Sequence, residues 1–391
     1  MTTMTRKRFL GSLAAISATA STASWSKMAG GEEPVDTTTT DHTTSDEASR
    51  FADRVFDDSA RMLCGALSYM GDRLGLFKSM SRIGQCTPVQ LAQASKCNER
   101  LIAEWLKAMM AYGYVEYLPD SDRFYLSPEK AAVLADETSP MFMGGMLQTT
   151  VPQVMVTHEV MEAFTSGKPM TPDVFHPDFW EGIDRSSAGI YQHQLVDQWL
   201  SLMPGVIDTL KAGGHAVDVG CGQGNAVIVL ARRFPNSKFV GFDPYGPSVE
   251  KAKRAARRAG VSDRTDFIVG SAEDISSGQF DLATSFLTLH HMSHPVRDLA
   301  AIRESLTPMG SYLIREDNLS NELQGHVTPL ARLSYSASVL CCLHDSMAND
   351  GAALGPLTEA RITRLAKRAG FSKFRKLPFE SAYEALYEAK K

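Results

Sequence analysis

The chain has 391 residues, of which 43% are hydrophobic, and its formal net charge is -5. This length predicts about two domains with a sizeable core. The acidic balance argues against bulk binding of nucleic acid or of an anionic membrane, and the sequence has no run of about 18 apolar residues that would predict a membrane span.

The six cysteines are spread along the chain without a CxxC pair or a paired histidine spacing. That spacing predicts neither a structural zinc site nor a disulfide framework, so we expect no metal ligands. Cys341 and Cys342 are adjacent, and they are predicted to be small packing residues on a helix.

Residues 1–49 are predicted to be a leader followed by a flexible linker. A basic patch at 5–8 precedes a mildly apolar run at 11–23, in which Ala18-Thr19-Ala20 resembles a cleavage site. These features are similar to a twin-arginine export signal in which Lys7 replaces the second arginine. The alternative is a leader without structure, or a start codon placed too far upstream. Residues 24–48 are rich in Thr, Ser and Asp and lack periodicity, which is typical of a linker.

Residues 50–136 show helical patterns followed by a hairpin pattern. Thr87-Pro88 and Asn98 are predicted to begin the second and third helices. Residues 114–118 and 123–126 are rich in aromatic and aliphatic side chains and flank a polar turn, which predicts a β-hairpin. This order of elements is that of a winged helix.

The charges of this winged helix argue against DNA binding. The helix that would enter a groove carries acidic and basic side chains that cancel, namely Glu99, Arg100, Glu104 and Lys107. A surface that contacts phosphates needs clustered lysine and arginine. We therefore expect no nucleic-acid partner, and a domain that dimerises and helps to cover a substrate site.

The rest of the chain changes character near residue 213. Residues 137–212 are predicted to be a mainly helical connector. From 213 to 391 strands and helices alternate, which predicts an α/β fold with a Rossmann-like doubly wound sheet. A mostly helical insertion interrupts this alternation at 317–356.

A glycine-rich loop follows the first strand of this domain. The strand ends in Asp218, and Gly220, Gly222 and Gly224 follow in a G-x-G-x-G spacing before a helix. The glycines permit a tight turn and a close approach of a ligand to the backbone. A dinucleotide site has the spacing G-x-G-x-x-G and binds a pyrophosphate, which the anionic Asp218 would oppose. The pattern therefore favours a ligand with positive charge and disfavours an NAD-dependent oxidoreductase.

The next two strand ends carry further polar residues. Asp243 ends the second strand, about twenty residues after the glycine loop, where a carboxylate accepts hydrogen bonds from ribose hydroxyls. Residues 270–274, Gly-Ser-Ala-Glu-Asp, end the third strand, where a base would lie with its edge against the backbone. Three strand ends in this order and spacing predict a nucleoside site.

These segments resemble a known family. AVDVGCGQG, FVGFD, GSAED and FDLATSFLTLHHM look like successive motifs of class I S-adenosylmethionine (SAM) dependent methyltransferases. HPDFW and GAALG are similar to segments of a bacterial subgroup that carries an N-terminal winged helix.

The resemblance implies a set of cofactor contacts to SAM. Asp218, Gly220 and Gly222 would line its methionine part, with Cys221 and Gly224 in the same loop, and Asp243 would hold the ribose. Ser271 and Ala272 would border the adenine. Many relatives have Asp or Asn at the position of Ser271. The alternative is therefore that Glu273 or the backbone makes the adenine contact. Ser285 would lie beside the cofactor.

The sequence also predicts where the methyl acceptor would react. His290 and His291 follow the fourth strand of the sheet and are candidate general bases for a weakly nucleophilic acceptor. The helical insertion and residues 140–200 would form the acceptor pocket, with these candidates: Tyr191, His193, Tyr335, His344 and Asp345. We expect methylation of a small molecule by a homodimer. The alternative function is a winged-helix regulator with a SAM-sensing domain. Because SAM is made and kept in the cytosol, a cytoplasmic protein is favoured over an exported one.

Overall fold

The computed structural model describes residues 42–275 and 279–391. The predicted export signal and most of the predicted linker lie outside these residues. The chain divides into two units, Met1–Asp57 and Asp58–Lys391, and the sheet and the glycine loop belong to the second. In the described part of the chain, no helix is both long and apolar enough to cross a membrane.

The second unit begins with a winged helix, as predicted. The helix His42–Arg73 starts in the first unit and ends in the second, and the helices Leu76–Ile83, Pro88–Ser95, Glu99–Ala111 and Pro128–Leu134 follow it. Strands β1 (Glu116–Leu118) and β2 (Arg123–Tyr125) pair as an antiparallel hairpin, and Cys86 adds a bridge to Phe124. The two predicted helix starts are present, because the Thr87 side chain forms a capping box with Gln90 and the Asn98 side chain accepts from the amide of Leu101.

A helical connector joins the winged helix to the sheet. It contains the helices Gly144–Met155, Thr157–Ser166, Pro177–Ile190 and Val206–Ala212, with a π-helical segment at Tyr191–Trp199. Two glycines allow the first and third of these helices to approach closely. A Cβ atom at Gly182 would lie 2.5 Å from Thr149 Oγ1, and one at Gly145 would lie 2.4 Å from the backbone nitrogen of Ser186.

The C-terminal domain contains a seven-stranded sheet in the order β5-β4-β3-β6-β7-β9-β8. Six strands run in the same direction, and β9, which lies between β7 and β8, runs antiparallel to both. The strand order reverses between β3 and β6, which is the switch point where ligands bind in such sheets. The strands are β3 (His215–Val219), β4 (Lys238–Asp243), β5 (Thr265–Val269), β6 (Phe280–Phe286), β7 (Leu306–Asp317), β8 (Lys373–Lys376) and β9 (Glu384–Lys390).

Helices cover both faces of this sheet, which confirms the predicted doubly wound fold. Successive strand residues face opposite sides, so that Ala216 packs in one apolar cluster and Val217 in another. The helices Asn225–Arg233 and Gly246–Ala259 contribute to the first cluster, and Pro295–Ser305 and Glu359–Arg368 contribute to the second.

The insertion lies between β7 and the helix Glu359–Arg368. It contains the helix Pro329–Ala337, a π-helical turn at Ser338–Cys342 and the helix Leu343–Met347. Strand β7 extends to Asp317, so that Glu316 and Asp317 belong to the strand and not to the insertion.

A buried ion pair fixes the connector to the winged helix. Arg185 Nη1 and Nη2 donate to the two carboxylate oxygens of Asp72 at 2.7 and 3.0 Å, and Nη2 also donates to Glu137. The side chains of Asp72 and Arg185 are 2% and 13% exposed. Because both charges have left water, each depends on the other for compensation.

We expect Arg185→Met to lower the free energy of unfolding by about 3–5 kcal/mol, because it leaves the Asp72 carboxylate buried without its partner. Asp72→Leu combined with Arg185→Met should recover part of that loss. The measurement is urea unfolding followed by circular dichroism.

Arg233→Met is the matched control for this prediction. It removes an ion pair with Asp197 in which both side chains are more than half exposed, so we expect a change below about 1 kcal/mol. Equal effects of Arg185→Met and Arg233→Met would contradict the assignment.

Candidate functional site

The glycine loop turns away from β3 and is held by the end of β4. The amides of Gly220 and Cys221 both donate to the carbonyl of Phe242, at 2.8 and 3.0 Å. Gly220 has a φ of 76°, and a Cβ atom there would lie 2.3 Å from Thr288 Cγ2. Gly222 has a φ of 54°, and a Cβ atom there would meet nothing within 4 Å. The loop therefore packs tightly at Gly220 and leaves room beside Gly222.

Cys221 and Gly224 pack the loop against the sheet. Gly224 caps the helix Asn225–Arg233, and a Cβ atom there would lie 2.7 Å from the Phe267 ring. The Cys221 thiol lies against Gly241, whose Cβ atom would approach the sulfur to 2.7 Å. Burial raises the pKa of Cys221 well above the usual thiol range. Cys221 is therefore a neutral packing residue whose thiol faces β4.

Asp218 is a buried carboxyl group next to this loop. Its Oδ1 accepts a hydrogen bond from Thr284 Oγ1 at 2.6 Å, and the residue is 4% exposed. Burial raises the pKa of Asp218 to about 7, the Thr284 hydrogen bond opposes that rise, and the charge of Asp243 adds to it. A cation bound next to Asp218 would favour the ionised form.

Asp243 connects the two strand ends. Its Oδ2 accepts from the amide of Gly222 at 2.9 Å, and its Oδ1 accepts from the amide of Tyr245 at 2.9 Å. Burial raises the pKa of Asp243, and these two hydrogen bonds oppose the rise. An ionised carboxylate has about four acceptor sites, so Asp243 retains capacity for hydroxyl donors.

The connector helix Pro177–Ile190 forms a strap over the loop. The rings of Trp180 and Tyr245 stack with centroids 4.5 Å apart. Gln223 Nε2 donates to the carbonyl of Trp180 at 3.0 Å, and Asn225 Nδ2 donates to Asp184 Oδ1 at 2.8 Å. The HPDFW segment that the sequence comparison singled out therefore closes one side of the site.

The end of β5 uses its polar side chains locally. Ser271 Oγ accepts from the amide of Glu273, and Asp274 Oδ2 accepts from the amide of Ser271 at 2.8 Å. Glu273 forms an ion pair with Arg297, and Ala272 is buried in the core. These contacts leave the backbone of this turn, rather than its side chains, as the surface that a nucleobase edge would meet.

Ser285 is engaged inside the sheet. Its hydroxyl lies 2.6 Å from the Tyr312 hydroxyl, and the residue has no exposed surface. Ser285 alternates with Thr284 along β6, and Thr284 is the residue that contacts Asp218. The side chain of Ser285 therefore points to the face of the sheet opposite Asp218.

The two predicted histidines lie in a turn at Leu289–His291 that follows β6. His290 Nδ1 lies 2.7 Å from Glu316 Oε2, and His291 Nδ1 lies 2.8 Å from Asp345 Oδ2. The two rings are 4.3 Å apart, and Cys342 lies beside both. We call His290, His291 and Cys342 the His-His-Cys cluster.

The pKa values of all three cluster residues are shifted. Burial opposes protonation of His290, but the charges of Glu316 and Cys342 and the hydrogen bond to Glu316 raise its pKa well above the usual value. Burial also opposes protonation of His291, yet Cys342 and the hydrogen bond to Asp345 raise its pKa to about 9. Hydrogen bonds from Cys341 and both histidines lower the pKa of Cys342 well below the usual thiol range.

Two members of this arrangement were not predicted from the sequence. Cys341 and Cys342 were expected to be packing residues, and Cys341 lies in an apolar cluster against which Cys342 packs, but Cys342 also lies beside the two histidines. Glu316 was not assigned a role, because the end of β7 carries several polar residues in succession. Of the pocket candidates, Asp345 contacts the cluster through His291. His344 instead forms hydrogen bonds with the carbonyl of Val339 and the amide of Met170.

Comparisons with known proteins agree with this architecture. Residues 210–370 match the model of a methyltransferase domain, and residues 64–136 match the model of an Rv2258c-like winged HTH domain. The chain has a class I methyltransferase domain preceded by a winged helix.

Two solved structures share the fold of this chain. An O-methyltransferase family protein from Burkholderia thailandensis is 16% identical, with a TM-score of 0.65 over 87% of this chain and 98% of that chain. Human N-acetylserotonin methyltransferase, solved in complex with SAM, is also 16% identical, with a TM-score of 0.66 over 87% of this chain and 97% of that chain.

Curated relatives match the chain over shorter segments. 27-O-demethylrifamycin SV methyltransferase from Amycolatopsis mediterranei is 30% identical over 135 residues, which cover 32% of this chain and 46% of that protein. The matched segments span only 23% to 51% of the length of four such relatives.

Proposed function

We propose that the protein is a SAM-dependent methyltransferase that acts on a small organic acceptor. The observation that carries this proposal is the pair of carboxyl groups at the glycine loop, the buried Asp218 and the half-buried Asp243, both with raised pKa values. When bound, SAM supplies an electrophilic methyl group on a positively charged sulfur. Every other contribution to the transfer comes from the chain, which must align the acceptor and exclude water.

The described residues fit this cofactor. Asp218 is a buried carboxyl group with a raised pKa, so a cationic ligand would stabilise its ionised form. Gly222 leaves open space at the turn, where a side chain would obstruct a ligand. Asp243 is fixed by two backbone amides and keeps acceptor capacity for ribose hydroxyls. The turn Ala272–Asp274 offers its backbone to the adenine.

The acceptor would lie between the strap, the insertion and the His-His-Cys cluster. His291 and Asp345 contribute to the electrostatics of Asp243, so the cluster and the cofactor carboxylate are neighbours. The names of similar proteins point to small organic acceptors, such as N-acetylserotonin and 27-O-demethylrifamycin SV. We assign His290 and His291 to the acceptor side, where they orient an acceptor and stabilise the negative charge that develops when it loses a proton.

The regulator alternative is disfavoured by the recognition helix. Both of its cations pair with one carboxylate, since Arg100 and Lys107 each contact Glu104. Cations that are already paired within a helix contribute little to phosphate binding. We therefore propose an enzymatic role without a nucleic-acid partner, in the cytoplasm where SAM is available.

The first helix supports a homodimer. Met62, Leu63 and Met70 are exposed by 60, 62 and 46%, and Leu63 and Met70 lie two helical turns apart on one side of the helix. Apolar side chains presented in this way are typical of an interface. We propose that a second copy of the chain covers them.

The affinity for SAM should fall as the pH falls below about 7. The raised pKa of Asp218 means that the free protein must lose a proton to present a carboxylate to a cation. The dissociation constant should then rise toward about tenfold for each pH unit. Calorimetric titration of SAM between pH 5 and pH 8 measures this slope.

Two variants control this pH prediction. Asp218→Asn should bind weakly at every pH and lose the slope, whereas Asp298→Asn, which removes another buried carboxyl with a raised pKa, should retain it. A flat profile for the wild-type protein would show that Asp218 does not meet the cation.

His290→Gln should lower the turnover number by about 100-fold or more, while the dissociation constant for SAM changes far less. The acceptor side loses its oriented ring, and the contacts of Asp218 and Asp243 remain. His215→Gln is the control, because His215 is exposed at the opposite end of β3. Turnover by the two variants at the same rate would contradict the assignment.

Leu63→Glu combined with Met70→Glu should convert the protein to monomers, because each charge would be buried in the proposed interface. Light scattering after size-exclusion chromatography measures the mass. Met309→Glu is the control, since Met309 is 86% exposed in the methyltransferase domain. A wild-type protein that is already monomeric would disprove the dimer.

A further inference from the structure

We propose that the His-His-Cys cluster binds one divalent transition-metal ion, with zinc as the first candidate. One donor atom from each of His290, His291 and Cys342 lies within 4.8 Å of the other two. Two imidazole nitrogens and a thiolate are ligands that zinc prefers in proteins. This site was not predicted from the sequence, because Cys342 is about fifty residues from the histidines and belongs to the insertion.

The carboxylates around the cluster orient the rings as in a metal site. Glu316 Oε2 engages His290 Nδ1 at 2.7 Å, and Asp345 Oδ2 engages His291 Nδ1 at 2.8 Å. Histidines that bind metals characteristically use their second nitrogen on a carboxylate or carbonyl, which fixes the tautomer and the direction of the ring. Here both rings have such a carboxylate, so both Nε2 atoms are left to act as ligands.

Glu316 provides an independent observation. The residue is 1% exposed, and its Oε1 has no hydrogen-bond partner among the described residues. Burying a carboxylate is costly unless positive charge compensates it. A divalent cation bound to His290 would supply that compensation through the ring that Glu316 already contacts.

The backbone before the cluster is held in an uncommon conformation. Leu287 has a φ of 54°, a left-handed geometry that is costly for a branched side chain. Its amide donates to the carbonyl of Arg315 at 2.8 Å, which fixes the turn to β7 next to Glu316. Strain of this kind concentrates at functional sites, and here it directs His290 and His291 toward the insertion.

The donor set indicates the kind of metal and its role. Magnesium and calcium prefer oxygen ligands, whereas imidazole with thiolate suits zinc, copper or cobalt. Three protein ligands leave a coordination position open, which distinguishes a catalytic zinc site from a closed structural one. An acceptor oxygen or sulfur in that position would lose its proton to water more readily. This catalytic consequence rests on the proposed function, but metal binding does not.

The test is metal binding by the full-length protein after treatment with a chelator. Zinc is titrated in competition with a chromogenic chelator, and cobalt is titrated while the thiolate-to-cobalt charge-transfer absorption is recorded. We expect one metal ion per chain and a cobalt spectrum with that band. Absence of stoichiometric binding by the folded wild-type protein would overturn the proposal.

Variants assign the ligands. Cys342→Ser should lose the charge-transfer band, and His290→Gln and His291→Gln should weaken zinc binding by at least an order of magnitude. Cys97→Ser, which removes a partly buried thiol in the winged helix, is the matched control and should bind as the wild type does. Glu316→Gln tests the positioning role, and we expect about 10–100-fold weaker binding. Equal zinc affinity in Cys342→Ser and Cys97→Ser would exclude the cluster as the site.

Titration of SAM into the same samples separates this inference from the proposed function. SAM binding without zinc binding would refute the metal site and leave the methyltransferase assignment intact. Zinc binding without SAM binding would support the metal site and count against the cofactor assignment. If a single-ligand variant fails to fold, the cobalt spectrum of the wild-type protein still decides, because the charge-transfer band requires a thiolate ligand.

Discussion

The attachment of the glycine loop to the end of β4 is the interaction on which the site depends. Gly220 and Cys221 share the carbonyl of Phe242, and the next amide, that of Gly222, reaches Asp243. These bonds bring the carboxyl ends of β3 and β4 together and bury two acidic side chains next to each other. Only glycine suits position 220, because the backbone there is left-handed and a Cβ atom would collide with Thr288. The loop, the helix that follows it and the carboxylates are therefore one structural unit.

The connector and the insertion extend this unit in different ways. The connector brings Trp180 and Asp184 to the loop, and its position is set from the other side by the buried Arg185–Asp72 pair. The winged helix thus contributes to the site through a charged contact rather than through residues of its own. The insertion brings Cys342 and Asp345 to the turn after β6. A site that is assembled from separate segments in this way encloses an acceptor without changing the sheet.

The sequence predicted the parts of the site that depend on local spacing. The strand ends at Asp218 and Asp243 and the glycines between them could be assigned because each follows a short apolar strand in a fixed order. Ser285 was expected beside the cofactor; its side chain lies on the face of the sheet opposite Asp218, because side chains alternate along a strand and Thr284 is the residue paired with Asp218. Cys342 and Glu316 could not be predicted, because their role arises only when the insertion folds back over the sheet.

Buried negative charge is the feature that the two halves of the site share. Asp218 and Asp243 have raised pKa values because burial penalises their ionised forms. Glu316 is equally buried and contacts one histidine. A cation beside a buried carboxylate lowers the free-energy cost of keeping that carboxylate ionised. A sulfonium at the loop and a metal ion at the cluster would each be favoured for this same reason. His291 and Asp345 act on Asp243 from the cluster side, so a change of charge at the cluster alters the carboxylate that we propose for the ribose contact. Cofactor and metal affinities should therefore be coupled, and the coupling must be reciprocal, because both are equilibrium binding free energies.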